Sequence, residues 1–542
     1  MFYLLCYVII IHMNELILIR GIIILELLCA YKQLHMLQLN SYNIDSHAIW
    51  LKKNLSSFFS HIILFFIAVL RLFLKGFLVD IVLVIVLFVI LIENLPKKAK
   101  KAFVITHRII RLIITSIILL VLTYLPFIFS YIKTEQDATR EKTFFIILLG
   151  LTLEPLIIYL ANIINTPIEK LLSMRFINDA KKMINDSKTL NVIGVTGSYG
   201  KTSVKNYLHH LLSLEYDTLK TPDSFNTTLG VTRAIRENLN ATHKFFIAEM
   251  GARRRGDISE ICSIVNPKFC IISSIGPQHL DTFKNIDNIA STKFELADAV
   301  IKNNGSCFVC GDNKYIKEKI NTNPYNNYKK IFTYGLNPEN DYYASNIRID
   351  GGITKWTMID KINKNEIELE THLLGNHNVQ NLVGVIALCL NNNWLSPDQI
   401  FERTKTIQPV SHRLEMKKFG NDILIDDAFN SNPDGAMAAL NVLSTFKDYE
   451  KILITPGMVE LGKSEEEENI KFGENASKIC NIILLVGKRQ AEVLSKKISL
   501  NDNLHEVKTF DKVEQAIAYA SGYISTRPKV ILIENDLPDN YL

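Results

Sequence analysis

The sequence predicts two unlike parts: an α-helical transmembrane segment over residues 1–170, then α/β architecture over residues 171–542. In the second part a P-loop domain with a mostly parallel sheet (171–407) precedes a Rossmann-like domain (408–542). Three observations carry this. Long apolar runs stop near Asn165, short apolar runs alternate with helical patterns after it, and a glycine-rich turn ending in Lys-Thr follows the first short run. At 542 residues the chain is roughly three to four times the usual domain size. With 60 Lys+Arg against 55 Asp+Glu, its formal charge of +5 is too balanced to point to a nucleic-acid partner. A content of 48% hydrophobic and 21% charged residues excludes disordered, collagen-like and disulfide-scaffold classes. A mean hydropathy of +0.14 is high for a soluble enzyme, as averaging two unlike segments would make it.

The apolar runs come first. Between Phe58 and Glu93 lie HIILFFIAVLRLFL and GFLVDIVLVIVLFVILIE, interrupted only by Arg71, Lys75 and Asp80. Ile109–Ile132 and Thr143–Ile164 are similar. Each approaches the roughly 20 residues a helix needs to cross about 30 Å of hydrocarbon, so four spans are predicted. A fifth candidate, Leu16 to Tyr31, is weakened by Arg20 and Glu26. The opening MFYLLCYVIIIHMNE lacks the basic start and small-residue cleavage site of a secretory leader. Lys97 to Lys101 form the densest basic cluster between spans and belong in the cytoplasm. Parity then puts Lys133 to Lys142 outside and everything after Thr166 inside; Lys32, Lys52 and Lys53 agree, and Lys75 does not. Glu154, beside Pro155, is the intramembrane acid that can mark a transport path. An interfacial or helix-packing carboxylate is the plainer reading.

After a polar helical connector, NVIGVTG, KFFIAEMGA, FCIISSIG and SCFVCGD read as buried strands, with KTSVKNYLHHLLSL and IASTKFELADAVI as helices between some of them. Such alternation predicts a parallel, doubly wound sheet. Between Tyr334 and Leu373 the pattern turns strand-rich, predicting a meander at the sheet's edge. DILIDD, KILITPG, IILLVG and VILIEN make a second α/β pattern beginning near Gln408. Cys307 and Cys310 have no second pair, so reduced, buried thiols are the simpler account of the cysteines.

The strongest chemical signal is the turn Thr196-Gly197-Ser198-Tyr199-Gly200-Lys201-Thr202-Ser203, between the strand from Asn191 and a helix. Its glycines let backbone N–H groups point at phosphate oxygens. The helix N-terminus adds positive potential, Lys201 neutralises the β- and γ-phosphates, and Thr202 can hold Mg²⁺. The strict P-loop pattern would need glycine at 195, which is Val. Glu249 ends an apolar strand just before Gly251, at the carboxyl edge where open α/β sheets place their sites. With Thr202 it would complete a Mg²⁺ site of hard oxygen ligands.

T-G-S-x-G-K-T after a strand resembles the Mur ligase family, ATP-dependent amide ligases of peptidoglycan synthesis. The resemblance is closest to the branch that adds D-alanyl-D-alanine, and it runs from about Lys188 to the C-terminus. TPDSFNTTLGV, IAEMGARRRGDI, IGPQHLDTF, STKFEL, LLGNHNVQNLVGVIAL, SHRLE, DDAFNSNPDGAMAAL and MVELGKSEEEEN stand in the family's order. The resemblance implies ATP and two Mg²⁺: His279 as a ligand of the second Mg²⁺, and Lys293 carbamylated to support it. It further implies Asn381 against adenine and Asn226 and Thr227 in a substrate-side loop. Arg413 would bring a cation to the phosphates, Asp427 would accept from ribose hydroxyls, and Asn430 and Asn432 would shape the substrate-facing loop. Lys201, Lys293, His279 and Arg413 form the implied catalytic set.

The resemblance also implies a reaction: a substrate carboxylate attacks the γ-phosphate, and an amine displaces phosphate from the acyl phosphate. The partners are then a peptidoglycan precursor, an amino acid or dipeptide, and the bilayer. The location is a bacterial inner membrane, with the catalytic domains in the cytoplasm. Two departures bear on substrate. Before Lys188 no segment reads as the domain that holds the UDP end of the precursor, and the chain ends VILIENDLPDNYL where a Lys-Gly-Ser strand end is usual. Asn469 also stands where histidine is common. A ligase of a lipid-linked precursor or of an acidic polymer such as poly-γ-glutamate stays open as an alternative. A nucleotide-regulated transporter would need more polar residues in its spans, and a dead scaffold would not keep Lys201, Thr202, Glu249, His279 and Lys293.

Overall fold

The computed structural model describes residues 15–535 except 41, 54, 75–76, 96–101, 132–135, 223–224, 279, 351, 429–431, 460, 462–463 and 499. Lys75, the basic cluster Lys97 to Lys101, His279 and Asn430 therefore lie outside the described residues. The chain forms two compact units, Met1–Met174 and Arg175–Leu542.

The first unit is helical: α1 (Glu15–Leu39), α2 (Ile44–Lys53), α3 (Leu55–Phe73), α4 (Phe77–Asn94), α5 (His107–Tyr131) and the start of α6 (Gln136–Asp186). Its interior is built from Leu64, Leu83, Ile90, Leu148 and Leu151, yet Phe66, Ile85, Phe88, Ile118 and Leu122 face outward. A helical unit that is apolar inside and out is suited to lipid rather than water. Of the charges that interrupt its runs, Arg71 and Asp80 pair with each other at 2.9 Å. Among the described residues, Ile19–Leu39, His107–Leu125 and Phe145–Asp186 have the length and composition to cross a bilayer, and Phe59–Arg71 is apolar but shorter. The run marked down for Arg20 and Glu26 is thus one of the three, because its helix continues past Tyr31 to Leu39. Glu154 is buried within the helical unit, and neither of its carboxylate oxygens has a hydrogen-bond partner among the described residues.

The second unit holds two sheets. The larger is built from β1 (Asn191–Thr196), β2 (Thr218–Lys220), β3 (Phe245–Glu249), β4 (Phe269–Ile272), β5 (Ser306–Cys310), β6 (Ile331–Gly335), β7 (Tyr342–Asp350), β8 (Ile353–Asp360) and β9 (Asn365–Thr371). Their order is β2-β3-β1-β4-β5-β6-β7-β8-β9. Pairing is parallel as far as β7, and β7-β8-β9 is the antiparallel edge meander. Helices α7 (Lys201–Ser213), α8 (Thr228–Asn238), α9 (Asp257–Val265), α10 (Leu280–Phe283), α11 (Ile286–Lys302) and α12 (Lys314–Ile320) lie between the strands, and α13 (Asn376–Asn391) and α14 (Pro397–Thr406) follow them. The smaller sheet contains β10 (Glu415–Phe419), β11 (Asp422–Asp427), β12 (Glu450–Thr455), β13 (Ile482–Val486), β14 (Glu506–Phe510) and β15 (Lys529–Glu534), in the order β10-β11-β15-β12-β13-β14. Only β10 runs antiparallel in it, and α15 (Pro433–Ser444), α16 (Glu465–Ile479), α17 (Lys488–Ser495) and α18 (Val513–Gly522) complete the layers.

Register places the chemistry. Val195 stands opposite Glu249 and Thr196 opposite Ile272, so the P-loop, Glu249 and the segment after β4 leave the sheet at one carboxyl edge. Asp427 stands opposite Glu534 at the matching edge of the second sheet. The buried runs Val192 to Val195 and Phe245 to Ala248 hold these ends in a continuous core.

Candidate active site

The turn after β1 is held open by its neighbours. Gly200 has φ 79°, and a Cβ there would lie 2.9 Å from Asn381 Oδ1. A Cβ on Gly197 would meet Ser273 Oγ at 2.1 Å, so glycine is required at both. Ser198 N–H donates to Ser274 O at 2.6 Å, and Ser198 Oγ donates to Gly276 O at 3.0 Å. Tyr199 Oη donates to Pro277 O at 2.8 Å. These bonds tie the turn to the segment after β4. Thr196 Oγ1 donates to Met250 O at 2.8 Å, tying it also to the end of β3. The Lys201 ammonium folds back onto Gly197 O and Ser198 O, at 2.8 and 2.9 Å. Burial, with Arg413 pushing the same way, lowers its pKa to about 8 against the pull of Glu249.

Glu249 is the centre of the charge network. Its Oε1 accepts from Thr202 Oγ1 at 3.3 Å and from Asn226 Nδ2 at 3.1 Å. Its Oε2 lies 3.0 Å from Lys205 Nζ, both side chains being buried. Burial alone would raise the Glu249 pKa; Lys205, Asn226 and Lys201 outweigh it and hold the carboxylate below its usual value. Oε2 is buried, and the Lys205 contact is an ion pair lacking hydrogen-bond geometry, so this oxygen keeps acceptor capacity. A carboxylate with spare acceptor capacity on one oxygen and the Thr202 hydroxyl on the other suits a hard cation such as Mg²⁺. Among the described residues no three His, Cys, Asp or Glu side chains cluster as a metal site. Lys293, on α11, is buried, and burial drives its pKa well down, with Lys201 pushing the same way and Asp257, Glu295 and Glu249 opposing.

Above the turn lies a cavity of about 300 Å³ between the two sheets' domains. Tyr199, Gly200 and Ser203 line it from the P-loop side, Asn378 and Asn381 from α13, and Arg413, Asp427 and Asn432 from the second domain. Burial lowers the Arg413 pKa, opposed by Glu249, Asp427 and Tyr207, which places the guanidinium in the field of both acids. Asp427 is raised to about 6, chiefly by burial, while Leu414 N–H donates to its Oδ1 at 3.1 Å. Its neighbour Asp426 is instead engaged by His412 at 2.9 Å and Lys417 at 3.2 Å, a local pairing.

The sequence-predicted residues thus divide. Thr202, Asn226 and Glu249 are in direct contact, and Lys201, Lys293 and Arg413 share their field. Ser203, Asn381, Asp427 and Asn432 line the cavity. Thr227 instead caps α8, accepting from Gly230 N–H at 3.3 Å, and Asn432 caps α15 through Gly435 N–H at 3.0 Å. Asn469 is buried and bonded to Met458 N and O, at 2.8 and 2.9 Å, so it shapes its loop. Sequence reasoning missed Lys205, whose signal was a lysine one turn after Lys201 in a buried stripe. It also missed Asn378, which accepts from Tyr207 Oη at 2.8 Å, and the half-buried His377, whose Nδ1 is enclosed and unpartnered among the described residues.

Fold and cleft together define a P-loop protein whose phosphate-binding turn opens between two α/β domains. Residues 195–389 match the Mur ligase middle domain and residues 412–534 the Mur ligase glutamate ligase domain, together more than half of the chain. The chain belongs to the Mur ligase family. It is 30% identical over 277 residues to the UDP-N-acetylmuramoyl-tripeptide–D-alanyl-D-alanine ligase of Bacillus subtilis, covering 51% of this chain and 58% of that one. The ligase of the same name from Buchnera aphidicola (subsp. Baizongia pistaciae) is 28% identical over 320 residues, covering 58% and 66%. The chain therefore spans less than two thirds of these relatives' own length. The fold is similar to that of the MurF ligase from Thermotoga maritima in complex with ADP, with TM-score 0.59, 21% identity, and coverage of 67% of this chain and 80% of that one.

Proposed function

We propose that this protein is an ATP-dependent amide ligase of the D-alanyl-D-alanine-adding type, joining an amine to the carboxylate of a muramyl-peptide acceptor at a membrane. The observation that carries the reading is the cavity between the domains, with Tyr199, Gly200 and Ser203 of the P-loop on one wall and Arg413 and Asp427 on the other, beside a turn that holds the Lys201 ammonium. The names of the curated relatives support the substrate class.

The chemistry follows from charge. ATP phosphates entering the turn replace the carbonyls that now hold Lys201, and the ammonium moves from a dipole to an anion. Arg413 adds positive charge from the second domain, so bringing the domains together assembles the phosphate-binding set. The acceptor carboxylate attacks the γ-phosphorus, the bond to the β-bridging oxygen breaks, and ADP leaves with that electron pair. The amine then adds to the acyl phosphate carbonyl, phosphate leaves, and the amine loses a proton, giving amide, ADP and phosphate. Thr202 and Glu249 would hold Mg²⁺, which when bound supplies charge stabilisation to the phosphates. Asp427 would accept from ribose hydroxyls and Asn381 would face the base; both line the cavity. Burial keeps Lys293 toward its neutral amine, the form that reacts with carbon dioxide, which supports carbamylation there. His279 and Asn430 keep the roles their motifs imply.

The test is phosphate release by the full-length protein in detergent, with muramyl-tripeptide acceptors in nucleotide-linked and lipid-linked form and with D-alanyl-D-alanine or glutamate. Release requires both acceptor and amine, and it is lost in Lys201→Ala and Glu249→Ala. Release that needs neither substrate refutes the reading. The membrane reading has its own test: a reporter inserted near Gln136 reads extracytoplasmic, and a cytoplasmic signal overturns that topology.

A further inference from the structure

We propose that the loop Arg253–Arg255 is an anion-binding site for the non-reacting negative groups of the acceptor. The inference rests on the ligase reading and names how that site takes hold of its substrate.

The loop is fixed at both ends to the site. It leaves β3 directly after Glu249, and Gly251 N–H donates to Asn226 O at 2.7 Å. Arg253 follows Glu249 by four residues, so its Cα lies within about 14 Å of the carboxylate's own Cα. At the other end Gly256 N–H donates to Glu295 Oε1 at 2.7 Å, and Ser259 N–H to Glu295 Oε2 at 2.9 Å. Glu295 sits two residues after Lys293 on α11, so the loop bridges the strand end bearing Glu249 and the helix bearing Lys293. Acids serve its backbone: Arg253 and Arg254 N–H both donate to Asp257 Oδ2 at 2.8 Å. No ion pair to a guanidinium of Arg253, Arg254 or Arg255 occurs among the described residues, and all three residues are exposed. The nearby carboxylates of Asp257 and Glu295 are occupied with backbone N–H groups, and three exposed cations stand on a loop pinned between β3 and α11.

Such an arrangement recognises anions. A guanidinium presents paired N–H donors that match carboxylate and phosphate oxygens. A muramyl-peptide acceptor carries two kinds of anion besides its reacting carboxylate: further peptide carboxylates and, when nucleotide- or lipid-linked, a diphosphate.

The experiment compares the full-length protein with a variant carrying Arg253→Gln, Arg254→Gln and Arg255→Gln, measuring acceptor-dependent phosphate release. Wild-type release is the control: its absence defeats the ligase reading, whereas an unaffected variant defeats only this inference. The expected result is an acceptor KM raised about tenfold or more, with kcat and the KM for ATP little changed. The difference shrinks as salt rises from about 0.05 to 0.5 M, because exposed charges are screened. Arg→Lys at all three positions keeps the charge but loses the paired N–H donors, so its acceptor KM falls between those of wild type and the Gln variant. Acceptors lacking the diphosphate, lacking the extra carboxylates through amidation, or lacking both identify the source: the group whose removal makes variant and wild type equal is the one bound. An unchanged acceptor KM overturns the proposal, including when binding to phosphatidylglycerol vesicles is weakened instead. A difference that survives removal of both groups, or that ignores salt, also overturns it.

Discussion

A lysine with no exposed surface destabilises a core unless its charge is matched, and Lys205 is matched by Glu249 at 3.0 Å. Lys205→Met leaves that carboxylate buried without its main counter-charge and costs about 3–5 kcal/mol in denaturant unfolding. The double variant Lys205→Met with Glu249→Gln removes both charges and regains most of the loss. Equal losses in single and double variants would show that Lys205 acts through packing alone. Asp427 gives a pH signature. Its folded pKa of about 6 lies above the ordinary aspartate value, so the native state binds the extra proton. Its contribution to stability is full below about pH 4 and declines as pH rises through about 6. Asp427→Asn therefore flattens the fall in stability over that window, measured by unfolding at a series of pH values. A fall of undiminished slope would assign the titration to another group.

At the scale of elements, the strand–turn–helix from Asn191 to Ser213 is where local sequence and tertiary contacts agree. Gly200 must stay left-handed with Asn381 against it. Gly200→Ala adds about 1–2 kcal/mol of backbone strain where phosphate must enter. A non-hydrolysable ATP analogue should then bind about fivefold or more weakly by titration calorimetry, and unchanged affinity would show that the turn relaxes freely. The same contrast explains which elements could be read in advance. β1, β3, β4 and β5 are buried on both faces and announce themselves as apolar runs. Edge strands β10 (EMKKF) and β14 (EVKTF) carry charges on partly exposed faces, and β2 has only three residues, so none shows a strand pattern. In the site, contiguous motifs delivered Lys201, Thr202 and Glu249, but the bond from Tyr207 to Asn378 joins residues 171 apart, a proximity only the fold creates. The Lys205 pairing was hidden for the same reason: α7 and β3 meet through the sheet, not through the sequence.

For the whole molecule, the excess hydropathy resolves into a helical unit with apolar residues inside and out and an α/β unit with sealed cores. The second unit brings the P-loop turn and Arg413 of the second domain to one cleft, the convergence that the proposed acyl-phosphate chemistry needs. The central claim is that the acceptor carboxylate itself attacks ATP. Supplying an acceptor whose reacting carboxylate is labelled with oxygen-18 and analysing the released phosphate by mass spectrometry tests this directly. The account predicts one labelled oxygen transferred to phosphate per amide formed, and none with Lys201→Ala. Unlabelled phosphate released while amide is formed would contradict it.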